Sequence, residues 1–137
     1  MSNELKERLL KESKTIAVVG LSSDTTKDSY RVAKYLQDKG YRIIPVNPSE
    51  SEVLGEKSYP DLASIKEKVD LVDIFRRPQF VMPIVEEAIQ IGAKAVWMQD
   101  GIVNDKAGEK AKEAGLEVVM NDCTMRTHSQ LSAAGVI

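Results

Sequence analysis

The fold of this chain is decided by residues 15–46, which read TIAVVGLSSDTTKDSYRVAKYLQDKGYRIIPV. An apolar run, typical of a buried strand, ends at Gly20, and a loop of small and hydroxyl residues follows it. A stretch with helical periodicity then ends at Gly40, directly before a second apolar run. Glycine just past a helix adopts the left-handed conformation that other residues resist, so Gly40 marks a helix-to-strand junction. The stretch therefore predicts a strand, a helix and a second strand in succession.

The same junction recurs later in the chain. Gly92 and Gly115 each end a helical pattern and precede an apolar run, at residues 93–98 and 116–120, and another apolar run covers residues 71–75. Short β-rich segments separated by helices are typical of a mostly parallel sheet that is covered on both faces. We predict a Rossmann-like, doubly wound α/β fold with a mostly parallel five-stranded sheet and helices on both faces.

Several of the predicted helices have recognisable ends. Asp28 or Ser29 suits the N-cap of a helix that runs through Lys39, Pro78 suits the first turn of a later helix, and Asn104 suits another N-cap. Apolar residues at helical spacing indicate a short leading helix: Leu5, Leu9 and Leu10. These helices supply the layers that the predicted sheet needs.

The remaining segments are less regular. Residues 50–59 are predicted to form a surface loop, followed by a short helix from Asp61 through Lys66, and the last dozen residues have no clear assignment. The sequence contains no linker, repeat array or low-complexity tract. We therefore expect residues 1–137 to form a single domain.

Composition narrows the classes of partner. The 19 basic and 21 acidic residues are interspersed, so no basic block is available for nucleic acid. The sequence has neither the apolar run of a signal peptide nor a stretch that would span a bilayer, and we expect a cytoplasmic protein. Cys123 is the only cysteine, which excludes an intrachain disulfide and a cysteine-based zinc cluster and fits a reducing compartment.

The first predicted loop, residues 20–29, has the chemistry of an anion site. Free backbone N–H groups, hydroxyl donors and the positive end of the helix dipole all suit a phosphate, and Lys27 and Arg31 add positive charge. An ordinary turn with a capping serine is the alternative. A dinucleotide fingerprint needs three glycines in this loop, and only Gly20 is present. The acid that would bind a ribose is also missing, because Val46-Asn47-Pro48 occupies its position. NAD is therefore disfavoured. The spacing of a P-loop is absent too.

Three further loops follow predicted strands at the edge where such sheets bind ligands. Prolines in Pro45-Val46-Asn47-Pro48 form a rigid wall that suits an adenine ring, or simply a stiff turn. Arg76 and Arg77 suit bidentate binding of phosphate oxygens, or a solvated surface pair. Gln99-Asp100-Gly101 allows close backbone approach to a ligand, or is a plain loop. Trp97, in the strand before it, is predicted to lie in the core.

Cys123 and His128 are the residues most prone to nucleophilic chemistry. A Cys–His pair can activate a thiolate, but a spacing of five residues places them poorly for one helical face. No acid is positioned by the sequence to orient the imidazole. We interpret them as a packed cysteine and a structural histidine, and we predict no catalytic residue and no metal site.

The ordered series of segments resembles the small bacterial CoA-binding domain proteins, which are similar to the amino-terminal CoA-binding domain of the succinyl-CoA synthetase alpha subunit. The segments that carry the resemblance are residues 17–22, 29–36, 40–48, 70–78 and 92–99, so it covers nearly the whole chain. It implies that the CoA diphosphate lies at Gly20, Ser22 and Ser23 and the adenine near residues 46–48. The synthetase also has a second domain with a phosphorylated histidine, and nothing around His128 matches it.

The resemblance and the loop positions together give the predicted site. The residues expected to contact CoA or an acyl-CoA are Gly20, Leu21, Ser22, Ser23, Ser29, Tyr30, Arg31, Val46, Asn47, Pro48, Phe75, Arg76, Arg77, Pro78, Gln99, Gly101 and Ile102. Asp100 departs from the apolar or glycine-containing step of close relatives, and an acid there is unfavourable beside a polyanion unless it points away.

Three hypotheses of function follow. The first is a stand-alone module that binds CoA or acyl-CoA without making bonds. The second is an enzyme that uses Cys123 as a redox or acyl-accepting thiol, and the third is a regulatory subunit that senses CoA and docks to a partner. A homodimer or an unknown protein partner is compatible with each.

Overall fold

The computed structural model describes residues 2–137, in which a central sheet is surrounded by five helices. The strands are β1 (Thr15–Val19), β2 (Arg42–Val46), β3 (Glu52–Val53), β4 (Glu56–Lys57), β5 (Leu71–Ile74), β6 (Ala95–Met98) and β7 (Glu117–Val119). The helices are α1 (Ser2–Glu12), α2 (Asp28–Asp38), α3 (Val81–Gln90), α4 (Asp105–Glu113) and α5 (Thr124–Ala133), with 3₁₀ turns at Leu62–Ser64 and Pro78–Phe80. No helix within this range is long and apolar enough to cross a membrane.

The main sheet has the order β2-β1-β5-β6-β7, and each neighbouring pair is parallel. Val19 at the end of β1 pairs with Val46 on one side and Ile74 on the other, so these strands end at one level. The chain builds outward from β1 to β2 and then continues on the opposite side of β1 with β5. This confirms the predicted Rossmann-like α/β fold and places the reversal of strand order between β1 and β5.

Each face of the sheet carries its own buried cluster. Strand residues alternate between the faces, so Val18 and Trp97 point to one side and Val19 and Met98 to the other. Helices α1, α2 and α5 cover the first face, and α3 and α4 cover the second. Trp97 is fully buried and its Nε1 donates a hydrogen bond to the carbonyl oxygen of Asp122 at 3.0 Å, which confirms its predicted place in the core.

The prediction of a surface loop at residues 50–59 is wrong in part, because β3 and β4 form a short antiparallel hairpin there. Its two-residue turn, Leu54-Gly55, has positive φ at both positions (57° and 76°), as a type I′ turn requires. Leucine is an unusual residue for such a turn, so the sequence carries no clear hairpin signal. The segment after it continues along the edge of β2, where the Tyr59 N–H donates to the Pro45 carbonyl oxygen at 3.0 Å.

Helix starts agree with the sequence in some places and differ in others. Asn104 caps α4 as predicted, accepting a hydrogen bond from the Ala107 N–H at 3.0 Å. Helix α2 instead has Lys27 at its N-cap without a side-chain hydrogen bond, so neither Asp28 nor Ser29 caps it. Asp61 does cap a helical turn, but that turn ends at Ser64, short of Lys66. The unassigned final residues form α5.

Candidate functional site

The centre of the candidate site is the point where the chain leaves β1. Gly20 has φ of +90°, and its N–H donates to the Val46 carbonyl oxygen at 2.8 Å. A Cβ atom added to Gly20 would lie 2.4 Å from the Phe75 carbonyl oxygen. Only glycine therefore lets the first loop cross so close to the end of β5, directly above the reversal of strand order.

Side-chain hydrogen bonds hold this first loop in place. The Ser29 Oγ accepts from the Ser22 N–H at 3.1 Å, and the Asn47 Nδ2 donates to the Leu21 carbonyl oxygen at 3.0 Å. Asp24 accepts from the hydroxyl and N–H of Thr26, and these hydrogen bonds hold the pKa of Asp24 below its usual value. Ser29 and Asn47, both predicted ligand contacts, thus shape the loop.

Two donors of the first loop, both on Ser23, are paired with the carboxylate of Glu50, which follows β2. The Ser23 N–H and hydroxyl donate to the same carboxylate oxygen of Glu50, at 2.8 and 2.9 Å. The N–H groups of Ser22 and Ser23 are therefore not free, contrary to the expectation of open donors. The first turn of α2 has no side-chain cap, so its N–H groups and the positive end of the helix dipole face the loop.

Positive charge at the site is divided between paired and unpaired arginines. Arg31 forms an ion pair with Asp28 and also donates to the Thr26 carbonyl oxygen at 3.3 Å. Arg76 is partly buried and Arg77 is exposed, and neither makes an ion pair or side-chain hydrogen bond with any residue from 2 to 137. Two guanidinium groups at the end of β5 thus remain available for an anion.

Consecutive residues at the end of β5 line two different cavities, because side chains alternate between the faces of the sheet. Arg76 lines a small cavity of about 150 Å³. Its other walls are Val19, Val46, Pro48, Pro60, Asp61, Leu62, Ile84 and Glu87. This brings Val46 and Pro48 beside Arg76.

Phe75 lines the larger cavity, of about 580 Å³, which lies between α2 and α5 at the ends of β5 and β6. Its walls are Asp28, Arg31, Val32, Tyr35, Phe75, Gln99, Asp100, Ile102, Cys123, Met125, Arg126, Ser129 and Gln130. The sequence predicted four of these residues, Arg31, Phe75, Gln99 and Ile102. It missed the α5 wall, because nothing in the final residues indicated where that helix would pack.

Asp100 is paired rather than facing a ligand alone. Arg126 donates to both carboxylate oxygens of Asp100 at 2.8 Å and to Asp122 at 2.8 Å. The hydrogen bonds from Arg126 hold the pKa of Asp100 below its usual value. The negative charge of Asp100 is therefore offset within the chain, and its presence beside a ligand carries little repulsion.

Below the cavity lies a buried polar chain. The Thr124 hydroxyl oxygen is 2.9 Å from the Asp73 Oδ2 and 3.0 Å from the Gln99 Oε1. A hydroxyl has only one proton to donate, so protonated Asp73 completes the chain by donating to Thr124, which then donates to Gln99. Complete burial raises the pKa of Asp73 to about 7, so the acid is mostly protonated below that pH.

Cys123 and His128 make different contacts and do not form a pair. Cys123 is buried and lines the large cavity, whereas the His128 Nδ1 shares a hydrogen bond of 2.9 Å with the Tyr35 hydroxyl. The His128 ring also meets the edges of Tyr35 and Tyr41. No hydrogen bond joins the thiol to the imidazole, and burial, with Lys39 nearby, lowers the pKa of His128. This supports the interpretation of a packed cysteine and a structural histidine.

The remaining predicted residues lie around these features. Tyr30 packs against the core on the α2 face, and the Pro78 carbonyl oxygen accepts from the Asn104 Nδ2 at 2.9 Å. Gly101 is exposed, and its N–H donates to the Asn121 Oδ1 at 2.7 Å. Among residues 2–137, no group of three His, Cys, Asp or Glu side chains is arranged to hold a metal ion.

A comparison with protein families matches residues 14–129 of this chain to the CoA-binding domain. The chain belongs to the CoA-binding domain family. This confirms the resemblance read from the sequence. The chain is 42% identical to the uncharacterized protein YneT of Bacillus subtilis, over 92% of this chain and 93% of that protein.

Two further relatives differ in how much of their own length this chain covers. A structure from Pyrococcus horikoshii is 44% identical, covers 96% of this chain and 93% of its own, and superposes with a TM-score of 0.93. The ADP-forming acetate–CoA ligase of Methanocaldococcus jannaschii is 30% identical over 88% of this chain but only 18% of the ligase. The chain is thus related to the CoA-binding part of such ligases and spans less than a fifth of that enzyme.

Proposed function

We propose that this chain is a stand-alone, single-domain module that binds CoA or an acyl-CoA across the reversal of strand order, without making or breaking bonds. The observation that carries the proposal is the position of Arg76 and Arg77. Both guanidiniums are unpaired among the described residues and follow Phe75, whose carbonyl oxygen lies against Gly20. Arg76 lines the small cavity and Phe75 lines the large one. A ligand with a diphosphate between a base and a long uncharged arm matches this arrangement.

Three parts of CoA have a matching environment. The diphosphate lies against the uncapped first turn of α2, with Arg76 and Arg77 as its cations. The adenine ring lies in the small cavity against Val46 and Pro48. The pantetheine arm crosses Phe75 and enters the large cavity, whose volume lies within the range usual for small-molecule sites.

The residues of the chain support binding rather than chemistry. Cys123 is buried and has no hydrogen-bonded base among the residues described, so no group is placed to activate its thiol. The His128 Nδ1 shares its hydrogen bond with the Tyr35 hydroxyl and not with the Cys123 thiol. Thiol chemistry is therefore not part of this proposal.

Isothermal titration with CoA, with NAD and ATP as controls at equal concentrations, tests the proposal. CoA is expected to bind more tightly than either control. Changing Arg76 and Arg77 together to Ala should weaken CoA binding by at least about tenfold, because each charged hydrogen bond contributes on the order of 1.5–3 kcal/mol. The control is Arg8→Ala, since Arg8 lies on α1, pairs there with Glu117 of β7 and lines neither cavity.

Thermal unfolding provides an independent measurement. CoA at 100 times its dissociation constant should stabilise the protein by about 2.7 kcal/mol, and the melting temperature should rise. Saturating CoA with no change in melting temperature, or a preference for NAD or ATP, would contradict the proposal.

A further inference from the structure

The orientation of the Gln99 side chain leaves its amide nitrogen accessible and without a partner among residues 2–137. Its Oε1 accepts from the Thr124 N–H at 3.2 Å, and because a backbone N–H can only donate, this bond fixes which amide atom is the oxygen. The Nε2 is therefore the end of the side chain open to the large cavity. Gln99 is only 4% exposed, and no group in residues 2–137 accepts a hydrogen bond from its Nε2.

The other walls of this cavity are largely apolar or charge-paired, with Ser129 and Gln130 as uncharged polar residues on α5. Phe75, Ile102 and Met125 provide apolar surface beside Gln99. The charged groups at its rim are paired with each other, Arg31 with Asp28 and Arg126 with Asp100. A phosphate would find no free cation here, whereas an uncharged group with one acceptor oxygen would find both a donor and apolar walls.

We propose that the large cavity receives the thioester end of an acyl-CoA, with the Gln99 Nε2 donating to the thioester carbonyl oxygen and the acyl chain packing against Phe75, Ile102 and Met125. This inference rests on the proposed function and specifies its ligand. The thiol of free CoA has no carbonyl oxygen to accept from Gln99 and no chain to bury. The protein is therefore selective for acyl-CoA over CoA.

Titration of the wild-type protein with three ligands separates the parts of the inference. Hexanoyl-CoA should bind at least about tenfold more tightly than CoA, because several methylene groups leave water. S-hexyl-CoA, a thioether that lacks the carbonyl oxygen, should bind more weakly than hexanoyl-CoA by about threefold or more, since the Gln99 donor then stays unpaired.

Variants on α5 and at Gln99 test whether the affinity differences between these ligands arise in the large cavity. Ser129→Trp places a large side chain in the cavity and should bring the ratio of the CoA and hexanoyl-CoA dissociation constants close to one. Ser132→Trp is the matched control, because Ser132 is exposed on the same helix, lines no part of that cavity, and should keep the ratio. Gln99→Leu should abolish the difference between hexanoyl-CoA and S-hexyl-CoA.

The outcomes distinguish this inference from the proposed function. CoA binding with no gain from the hexanoyl group would overturn the acyl site and leave CoA binding intact. Equal affinity for hexanoyl-CoA and S-hexyl-CoA would overturn carbonyl recognition by Gln99. Absence of binding by all three ligands would overturn both the inference and the proposed function.

Discussion

The carboxylate of Glu50 accepts hydrogen bonds from both the backbone N–H and the hydroxyl of Ser23, at 2.8 and 2.9 Å. A protein acid thus lies on the loop that is proposed to face the CoA diphosphate. The two negative groups would compete for the same donors and repel each other. Glu50 is therefore expected to lower the affinity of the site.

Glu50→Ala should tighten CoA binding by roughly two- to fivefold, the range expected for a partly exposed charge interaction. The gain should shrink as salt is raised, because salt screens exposed charges. Titrations at low and high ionic strength measure both effects. Glu52→Ala is the control, since Glu52 is exposed on the adjoining hairpin and makes no contact with the loop. Weaker binding by Glu50→Ala would mean that Glu50 orders the loop for the ligand.

Gly20→Ala should destabilise the protein by roughly 2–5 kcal/mol, because its Cβ would overlap the Phe75 carbonyl oxygen at a positive φ. Gly101→Ala is a matched control, as Gly101 also has positive φ (77°) but has open space around its Cβ position. It should cost only roughly 1–2 kcal/mol. Urea unfolding measures both variants, and equal losses would show that the backbone conformation alone accounts for Gly20.

Asp73 should make stability depend on pH. Burial raises the pKa of Asp73 to about 7 in the folded protein, above the value of about 4 in an unfolded chain. The folded state therefore holds the proton more tightly, so stability from this group is full below about pH 4 and falls as the pH rises to about 7. Asp73→Asn should be more stable than wild type at pH 8.5 and similar to it near pH 3.5, below both pKa values.

Asp70→Asn is a control for that experiment, because the pKa of Asp70 is lowered in the folded protein whereas that of Asp73 is raised. Burial by itself would raise the pKa of Asp70, but hydrogen bonds from the N–H groups of Lys14 and Thr15 give a net lowering. The variant should therefore lose stability at neutral pH, with the loss shrinking as the pH falls through the lowered pKa. Melting temperatures across the pH range provide the measurement, and a pH-independent effect of Asp73→Asn would contradict its proposed neutral state.

Cys123 should react slowly with a thiol reagent in the native protein. It is only 6% exposed, so labelling by Ellman's reagent should be at least about tenfold slower than in urea, where the chain is unfolded. Saturating hexanoyl-CoA should slow the reaction further, because Cys123 lines the proposed acyl cavity. Fast labelling of the native thiol would instead favour the hypothesis of a reactive cysteine.

Local sequence signals were sufficient for the main elements of the fold. Apolar runs beside Gly40, Gly92 and Gly115 located strands because a glycine at positive φ ends a helix, whatever its tertiary surroundings. Asn104 was recognised as a cap because its side chain bonds a backbone N–H only three residues away. The hairpin at residues 52–57 escaped prediction because its turn has Leu54 in a conformation that usually takes glycine or asparagine.

The sequence by itself determined the parallel α/β layout, the family and the loops at the carboxyl ends of the strands, since these depend on periodicity and on motifs local in the chain. Only the tertiary structure decided which polar and charged groups at that edge of the sheet are paired within the protein and which remain available to a ligand. Glu50 reaches Ser23 across 27 positions, and Arg126 reaches Asp100 across 26, so neither pairing leaves a local pattern. The large cavity exists because α5 packs opposite α2, and packing between distant helices is set by the assembled core.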